Sequence, residues 1–173
     1  MVDFGPIGMT FDEMADFICQ KFTTGEQSMQ AALATLRKDG SPHVIPVGFW
    51  CDRAYVYLTF SPTRGAVPRI RRDPRVSISI FQHRSPAKFV TISGVAEEIP
   101  DPDYKISRSI CRRYPRPDNW DVDAFEERWL EAGKVVYRVS LENWVGLDLG
   151  KVEDPVAGAQ TPADKTLIVQ RKS

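Results

Sequence analysis

Between Thr10 and Phe22 the apolar residues Phe11, Met14, Phe17 and Ile18 recur at the spacing of one helix face. Thr10 precedes Glu13 by three residues, the arrangement in which each side chain caps the other's backbone N–H. The pattern predicts a short amphipathic helix ending near Thr23–Gly25, with its apolar stripe on the core. From Met29 the period shortens to that of strands. Met29–Arg37, His43–Trp50, Ala54–Phe60, Arg75–Gln82, Lys88–Glu98 and Val135–Trp144 read as six strands. The fourth alternates most cleanly, with Val76, Ile78 and Ile80 on one face and Ser77, Ser79 and Phe81 on the other.

The breaks between these runs carry their own chemistry. Asp39-Gly40 between two apolar runs is a strong short-range hairpin signal. Pro46 lacks an N–H, so its strand belongs at an edge, at a bulge or at a ligand-facing break in the ladder. Gly94 suggests a bulge in the fifth strand. Pro68 opens a short helix through Arg72, and Asp73-Pro74 stops it. Asp101–Tyr114 and Asp121–Ala132 return to helical spacing, separated by a loop at Pro115 and Pro117. Residues 1–150 thus form one α+β domain built on an antiparallel barrel. It carries an N-terminal helical segment (1–25) and a helical insertion (101–132), and residues 151–173 form a polar tail.

Composition narrows the function classes. Among 173 residues, 23 Lys and Arg balance 23 Asp and Glu, which speaks against a dedicated nucleic-acid binder. Cys19, Cys51 and Cys111 are odd in number and widely spaced, so reduced thiols in the cytosol are expected rather than a disulfide framework. With only His43 and His83, a zinc site would need scattered ligands, and no metal is expected. The N-terminus has no basic segment of a secretory signal, and no apolar run reaches the roughly 20 residues of a membrane span. The expectation is a cytoplasmic protein without membrane or nucleic-acid partners.

The chemically informative stretch is Ser61–Arg75. It holds Arg64, Arg69, Arg71, Arg72 and Arg75, opposed only by Asp73. Guanidinium groups suit two-pronged binding of phosphate oxygens. Ser61 and Thr63 add hydroxyl donors, Gly65 permits close backbone approach, and a following helix start offers free N–H groups. The alternative is a solvated charge run paired with the acids of the last predicted helix, Asp121, Asp123, Glu126 and Glu127. No aromatic residues interleave with the arginines, as a nucleic-acid surface would require.

The order of LATLRKDGSPHVIPVGFW, YVYLTFSPTR, RIRRDPRVSISIF and FVTISGVAEE resembles the FMN-binding split-barrel family related to pyridoxamine 5'-phosphate oxidase. The resemblance runs from about Ala31 to Glu98, with Val135–Trp144 as a plausible terminal strand. It implies an antiparallel split β-barrel with short flanking helices, assembled as a homodimer with flavin sites at the interface. By position it sets the flavin ring along Ile45, Pro46 and Val47. It sets the ribityl chain and phosphate at Thr59 and Ser61, and assigns phosphate binding to Arg64 and Arg69. Gln82 and Trp144 become candidates to reach the ring, Gln82 from the partner subunit.

Two departures qualify the match. Relatives commonly carry a Lys seven residues before the Asp-Pro, where this chain has Ala66, and Arg64 and Arg69 are the candidates to substitute. The basic and His substrate residues of true pyridoxamine phosphate oxidases are not evident in VSLENWVGLDLGK, so vitamin B6 synthesis is not expected. The resemblance implies an FMN-dependent oxidoreductase acting on a small organic substrate. It leaves open a reductase using the deazaflavin coenzyme F-420, whose longer anionic tail would draw on Arg71 and Arg72, or a flavin- or haem-binding protein without turnover.

Overall fold

A computed structural model of the chain describes residues 5–20, 29–82, 86–114 and 116–152. Expectations placed on Thr23–Gly25, His83, Ser85, Pro115 and the tail beyond Val152 lie outside the described residues. Helix α1 (Phe11–Cys19) begins with the reciprocal cap that the sequence predicts. The Glu13 N–H donates to Thr10 Oγ1 at 3.3 Å, and the Thr10 N–H donates to Glu13 Oε2 at 2.7 Å. The helix stops at Cys19, earlier than expected, and presses Met14, Ala15, Phe17 and Ile18 into the core.

Nine strands among the described residues build two antiparallel sheets. The first has the order β2 (Pro42–Val47), β1 (Gln30–Leu36), β5 (Arg75–Phe81), β6 (Lys88–Val95), β9 (Trp144–Asp148). The second has the order β3 (Phe49–Cys51), β4 (Tyr55–Phe60), β8 (Val135–Ser140), β7 (Glu97–Ile99). Two long runs read as single strands in the sequence are each shared between the sheets. One bends at Gly48, between β2 and β3, and the other at Ala96, between β6 and β7. Such corner-turning strands fold two sheets around one core. That core holds Leu33, Phe49, Leu58, Ile78, Ile80, Ile92 and Val139, all fully buried.

Several expectations shift in detail. Gly94 is not a bulge, because the β5–β6 register runs unbroken from Arg75↔Val95 to Phe81↔Phe89. Its missing side chain instead admits β8, since a Cβ there would lie 3.3 Å from Val139 Cγ1. The bend falls at Ala96, whose N–H donates to the Pro74 carbonyl at 2.8 Å. β9 is a strand of its own, following β8 across Leu141–Asn143 into the other sheet. Helix α2 (Ala66–Arg72) starts ahead of Pro68, which sits in the first turn where its missing N–H costs nothing. Pro46 does lie on an edge strand, β2, as expected.

Cys19 and Cys51 are joined by a disulfide, contrary to the expectation of reduced thiols, and Cys111 alone is a free, buried thiol. Docking of α1 against β3 brings the two residues together, a long-range contact invisible in their spacing. Helices α3 (Lys105–Arg113) and α4 (Val122–Glu131) lie between β7 and β8. Ile110 of α3 packs with Tyr57 and Val136 in a second apolar cluster. Asp101 caps α3 from upstream, its two carboxylate oxygens accepting from the N–H groups of Ile106 and Ser107 at 3.1 and 2.9 Å. No helix among the described residues is long and apolar enough to cross a membrane.

Candidate functional site

The end of β4, the outer strand β2 and the start of α2 meet the α3–α4 insertion around a cleft of about 660 Å³. Ile45, Pro46 and Val47 supply one apolar wall, running to the bend at Gly48. Thr59, Ser61, Arg64 and Arg69 line the corner between β4 and α2. The insertion supplies the opposite wall through Ile110, Cys111, Tyr114, Arg116 and Trp129, with Lys134 just after it.

The close approaches in this cleft depend on two glycines. A Cβ at Gly48 would lie 3.2 Å from the Tyr114 ring, whose hydroxyl accepts from the Phe49 N–H at 3.0 Å. Tyr114 thereby fixes the insertion onto the bend between the sheets. A Cβ at Gly65 would lie 3.1 Å from Arg69 Nη1, so the guanidinium rests over bare backbone. Arg69 Nε donates to Thr35 Oγ1 at 3.0 Å, a hydroxyl buried in β1. With one edge so held, the two terminal nitrogens remain for the cleft. The Arg64 side chain is exposed and has no hydrogen-bond or ion-pair partner among the described residues.

The electrostatics have one sign. Arg64, Arg69, Arg116 and Lys134 line the cleft, and no carboxylate among the described residues does. In a chain of zero net charge, four cations around one cavity make a setting suited to an anion. Lys134 Nζ stands 4.2 Å from the centre of the Trp129 ring, and partial burial lowers its pKa. Burial raises the pKa of the Cys111 thiol, an effect that neighbouring Arg116 partly offsets.

The arginine run predicted from sequence divides. Arg71 pairs with Glu98 through Nε at 2.9 Å and Nη2 at 2.8 Å, Arg75 with Asp73, and Arg72 donates to the Leu36 carbonyl. Only Arg64 and Arg69 face the cleft. The acids Asp123, Glu126 and Glu127, considered as partners for that run, pair instead with Arg108 and Arg112 of α3. His43 lies outside the cleft, its Nδ1 2.8 Å from Arg37 Nη2. Desolvation, with the charges of Arg69 and Arg37, holds its pKa below the ordinary histidine value.

Of the ten residues singled out from sequence, Ile45, Pro46, Val47, Thr59, Ser61, Arg64 and Arg69 line this one cleft. Thr63 is exposed and outside the lining. Gln82 follows β5, its Nε2 donating to the Pro86 carbonyl at 3.3 Å. Trp144 begins β9, at the opposite edge of its sheet from β2, and lines a separate hollow with Thr10 and Arg53. The opposite wall, with Arg116, Trp129 and Lys134, was not anticipated. Its one signal in the sequence was a cation beside each end of the helix that carries Trp129.

The cleft therefore combines a flat apolar side, a cationic corner and hydroxyl donors, a set suited to an elongated ligand with a planar part and an anionic part. Residues 19–144 match the family described as pyridoxamine 5'-phosphate oxidase. The chain belongs to this family. A search of curated proteins gives no match. Among solved structures, a conserved hypothetical protein from Mycobacterium tuberculosis is similar, with a TM-score of 0.69 and 23% identity over 92% of this chain and 99% of that one. An F420 reductase is similar with a TM-score of 0.54 and 24% identity, over 69% of this chain and 90% of that one. General Stress Protein 26 from Bacillus anthracis follows at 0.52 and 18%, covering 80% and 95%. These structural likenesses show the split-barrel fold.

Proposed function

We propose that the cleft binds a flavin-type cofactor, FMN in the first reading, and that the protein is an oxidoreductase acting on a small organic molecule. The observation that carries the proposal is the cationic corner beside β2, with Arg69 already held by Thr35 and Arg64 free to close on a phosphate. In this reading Arg64, Arg69 and the Ser61 hydroxyl hold the phosphate, and Thr59 borders the ribityl chain. Ile45, Pro46 and Val47 exclude water from one edge of the ring. The bound flavin would supply hydride transfer, while the protein supplies orientation and field.

Gln82 and Trp144 lie outside the cleft of their own subunit. They reach a flavin only across a subunit boundary, so the proposal includes a homodimer. Light scattering in solution tests that part, and a monomer would remove both residues from the site.

A second reading, the deazaflavin coenzyme F-420, is favoured by Arg116 and Lys134, which add charge beyond what one phosphate requires. Arg71 and Arg72, held elsewhere, leave the tail of such a cofactor to these two. An F420 reductase shares the fold.

The deciding experiment is the visible spectrum of freshly purified protein with mass analysis of any released molecule, then titration with FMN and with coenzyme F-420. FMN in the protein, or tight FMN binding that Arg64→Ala weakens, supports the first reading. Binding of F-420 alone supports the second. Binding of neither overturns both, and a bound chromophore that no nicotinamide or deazaflavin donor reduces would make this a binding protein without turnover.

A further inference from the structure

Beyond the cleft, α4 presents a second concavity of about 530 Å³. Phe125 and Trp129 lie one helical turn apart on α4, and Trp120 closes the far side. The Trp120 and Phe125 rings are 5.3 Å apart with their planes at 45°, and Trp120 keeps 45% of its surface exposed. Three aromatic faces around an open groove are an unusual surface to leave in water.

Trp129 also lines the cationic cleft, so a single indole forms the boundary between the two spaces. Both cations of the cleft's far wall rest on the groove's rings. The Arg116 guanidinium lies 4.4 Å from the centre of Phe125, and Lys134 Nζ lies 4.2 Å from the centre of Trp129. The Nε of Arg116 is buried and has no hydrogen-bond partner among the described residues. Arg128 and Asp121 also line the groove, and Asp121 Oδ1 accepts from the Ala124 N–H at 2.9 Å. The groove itself thus carries one charge of each sign, and the two further cations, Arg116 and Lys134, line the neighbouring cleft beyond the shared indole.

We propose that the Trp120–Phe125–Trp129 groove binds a flat aromatic carboxylate, with its ring on these side chains and its acid group turned toward Arg116 and Lys134. Stacking supplies the apolar part of the affinity, and the paired cations select the acid over a neutral analogue. The catalytic meaning, a substrate compartment opening onto the cofactor, rests on the function proposed above. The binding itself does not.

The test is calorimetric titration of the full chain, without cofactor, with 2-naphthoate and with its neutral counterpart 2-naphthalenemethanol. The naphthoate is expected to bind at least tenfold more tightly than the alcohol. Trp120→Ala is expected to weaken it at least tenfold with the melting temperature unchanged, since this indole is half exposed. Arg116→Gln is expected to abolish the preference for the acid. Absence of naphthoate binding, equal binding of both probes, or binding indifferent to Trp120→Ala overturns the proposal. Displacement of the naphthoate by FMN together with that indifference would place the probe in the cleft and overturn it as well. A protein that binds FMN but not naphthoate fails only this inference. One that binds naphthoate but no flavin or deazaflavin fails only the cofactor reading.

Discussion

The Nε of Arg69 donates to the hydroxyl of Thr35 at 3.0 Å, joining the last turn of α2 to β1, the strand beside the sheet's edge. Thr35 is buried, and its hydroxyl in turn contacts the His43 carbonyl at 3.3 Å, across the β1–β2 pair. The guanidinium thus has one donor committed to the scaffold and its outer fork directed at the cleft. Thr35→Val keeps the shape and removes the anchor. A hydrogen bond to a charged group contributes roughly 1.5–3 kcal/mol, so FMN affinity is expected to fall about tenfold, while Thr35→Ser retains it. Calorimetric titration of both variants with FMN measures this. Equal affinity in wild type and Thr35→Val would show that Arg69 needs no such support.

Gly65 permits that arrangement from the other side. Its φ of −61° is ordinary helical backbone, so the glycine is not demanded by conformation. Alanine there should stabilise the fold by about 0.4–1 kcal/mol through the unfolded chain. Its Cβ would meet Arg69 Nη1 at 3.1 Å and Nη2 at 3.6 Å, and the far end of the side chain would have to move. Gly65→Ala is therefore expected to raise the melting temperature slightly while weakening FMN retention. Thermal melts of the apoprotein and flavin titrations read the two effects separately, and unchanged retention would place the phosphate away from Arg69.

Much of the architecture is legible in local pattern, because strands such as β5 alternate over a full seven residues and Thr10–Glu13 is a self-contained cap. What escapes the sequence is set by distant partners. Gly48 reads as an interior strand residue, and its reason for being a bend lies in Tyr114, on the helical insertion. Gly94 resembles a bulge until β8 is seen against it. The near wall of the cleft is visible because its residues follow one another along β2, β4 and α2. The far wall is not, because Arg116, Trp129 and Lys134 converge only when α3 packs on β3 and β4 and α4 packs on α3.

The Cys19–Cys51 bond is another such long-range feature, with a sequence separation of 32. A loop of that length corresponds to about 3.7 kcal/mol in the chain-entropy account of cross-links. Denatured protein without reductant is expected to show one reactive thiol, Cys111, and three after reduction. Reduction, or the Cys51→Ser variant, is expected to lower the melting temperature by several degrees or more. Three reactive thiols in unreduced, denatured protein would show the bond to be absent in solution.

Glu126 carries the acid sensitivity of the cleft's far wall. Its carboxylate is buried between Arg108 and Arg112, which join α3 to α4 and themselves reach solvent. The hydrogen bond from Arg112, opposed by desolvation and reinforced by Arg108, holds its pKa below the ordinary glutamate value. A carboxylate depressed in this way contributes its full stability above the unfolded value, near pH 4.3, and loses it as the pH falls through the folded value. Removing one partner of a fully buried pair costs about 3–5 kcal/mol. Solvent screening of the two arginines reduces the expected cost of Glu126→Gln to about 1–2 kcal/mol at pH 7. The gap in melting temperature between wild type and Glu126→Gln should therefore be constant from pH 7 to about 5 and should close on further acidification. Cofactor retention should decline over the same acidic range, because Ile110, Tyr114 and Trp129 line the cleft from these two helices and their flank. No gap at pH 7 would show that the two helices are held by their apolar contacts rather than by this ion pair, and a gap unchanged to about pH 3 would show that the ionisation of Glu126 is not its source.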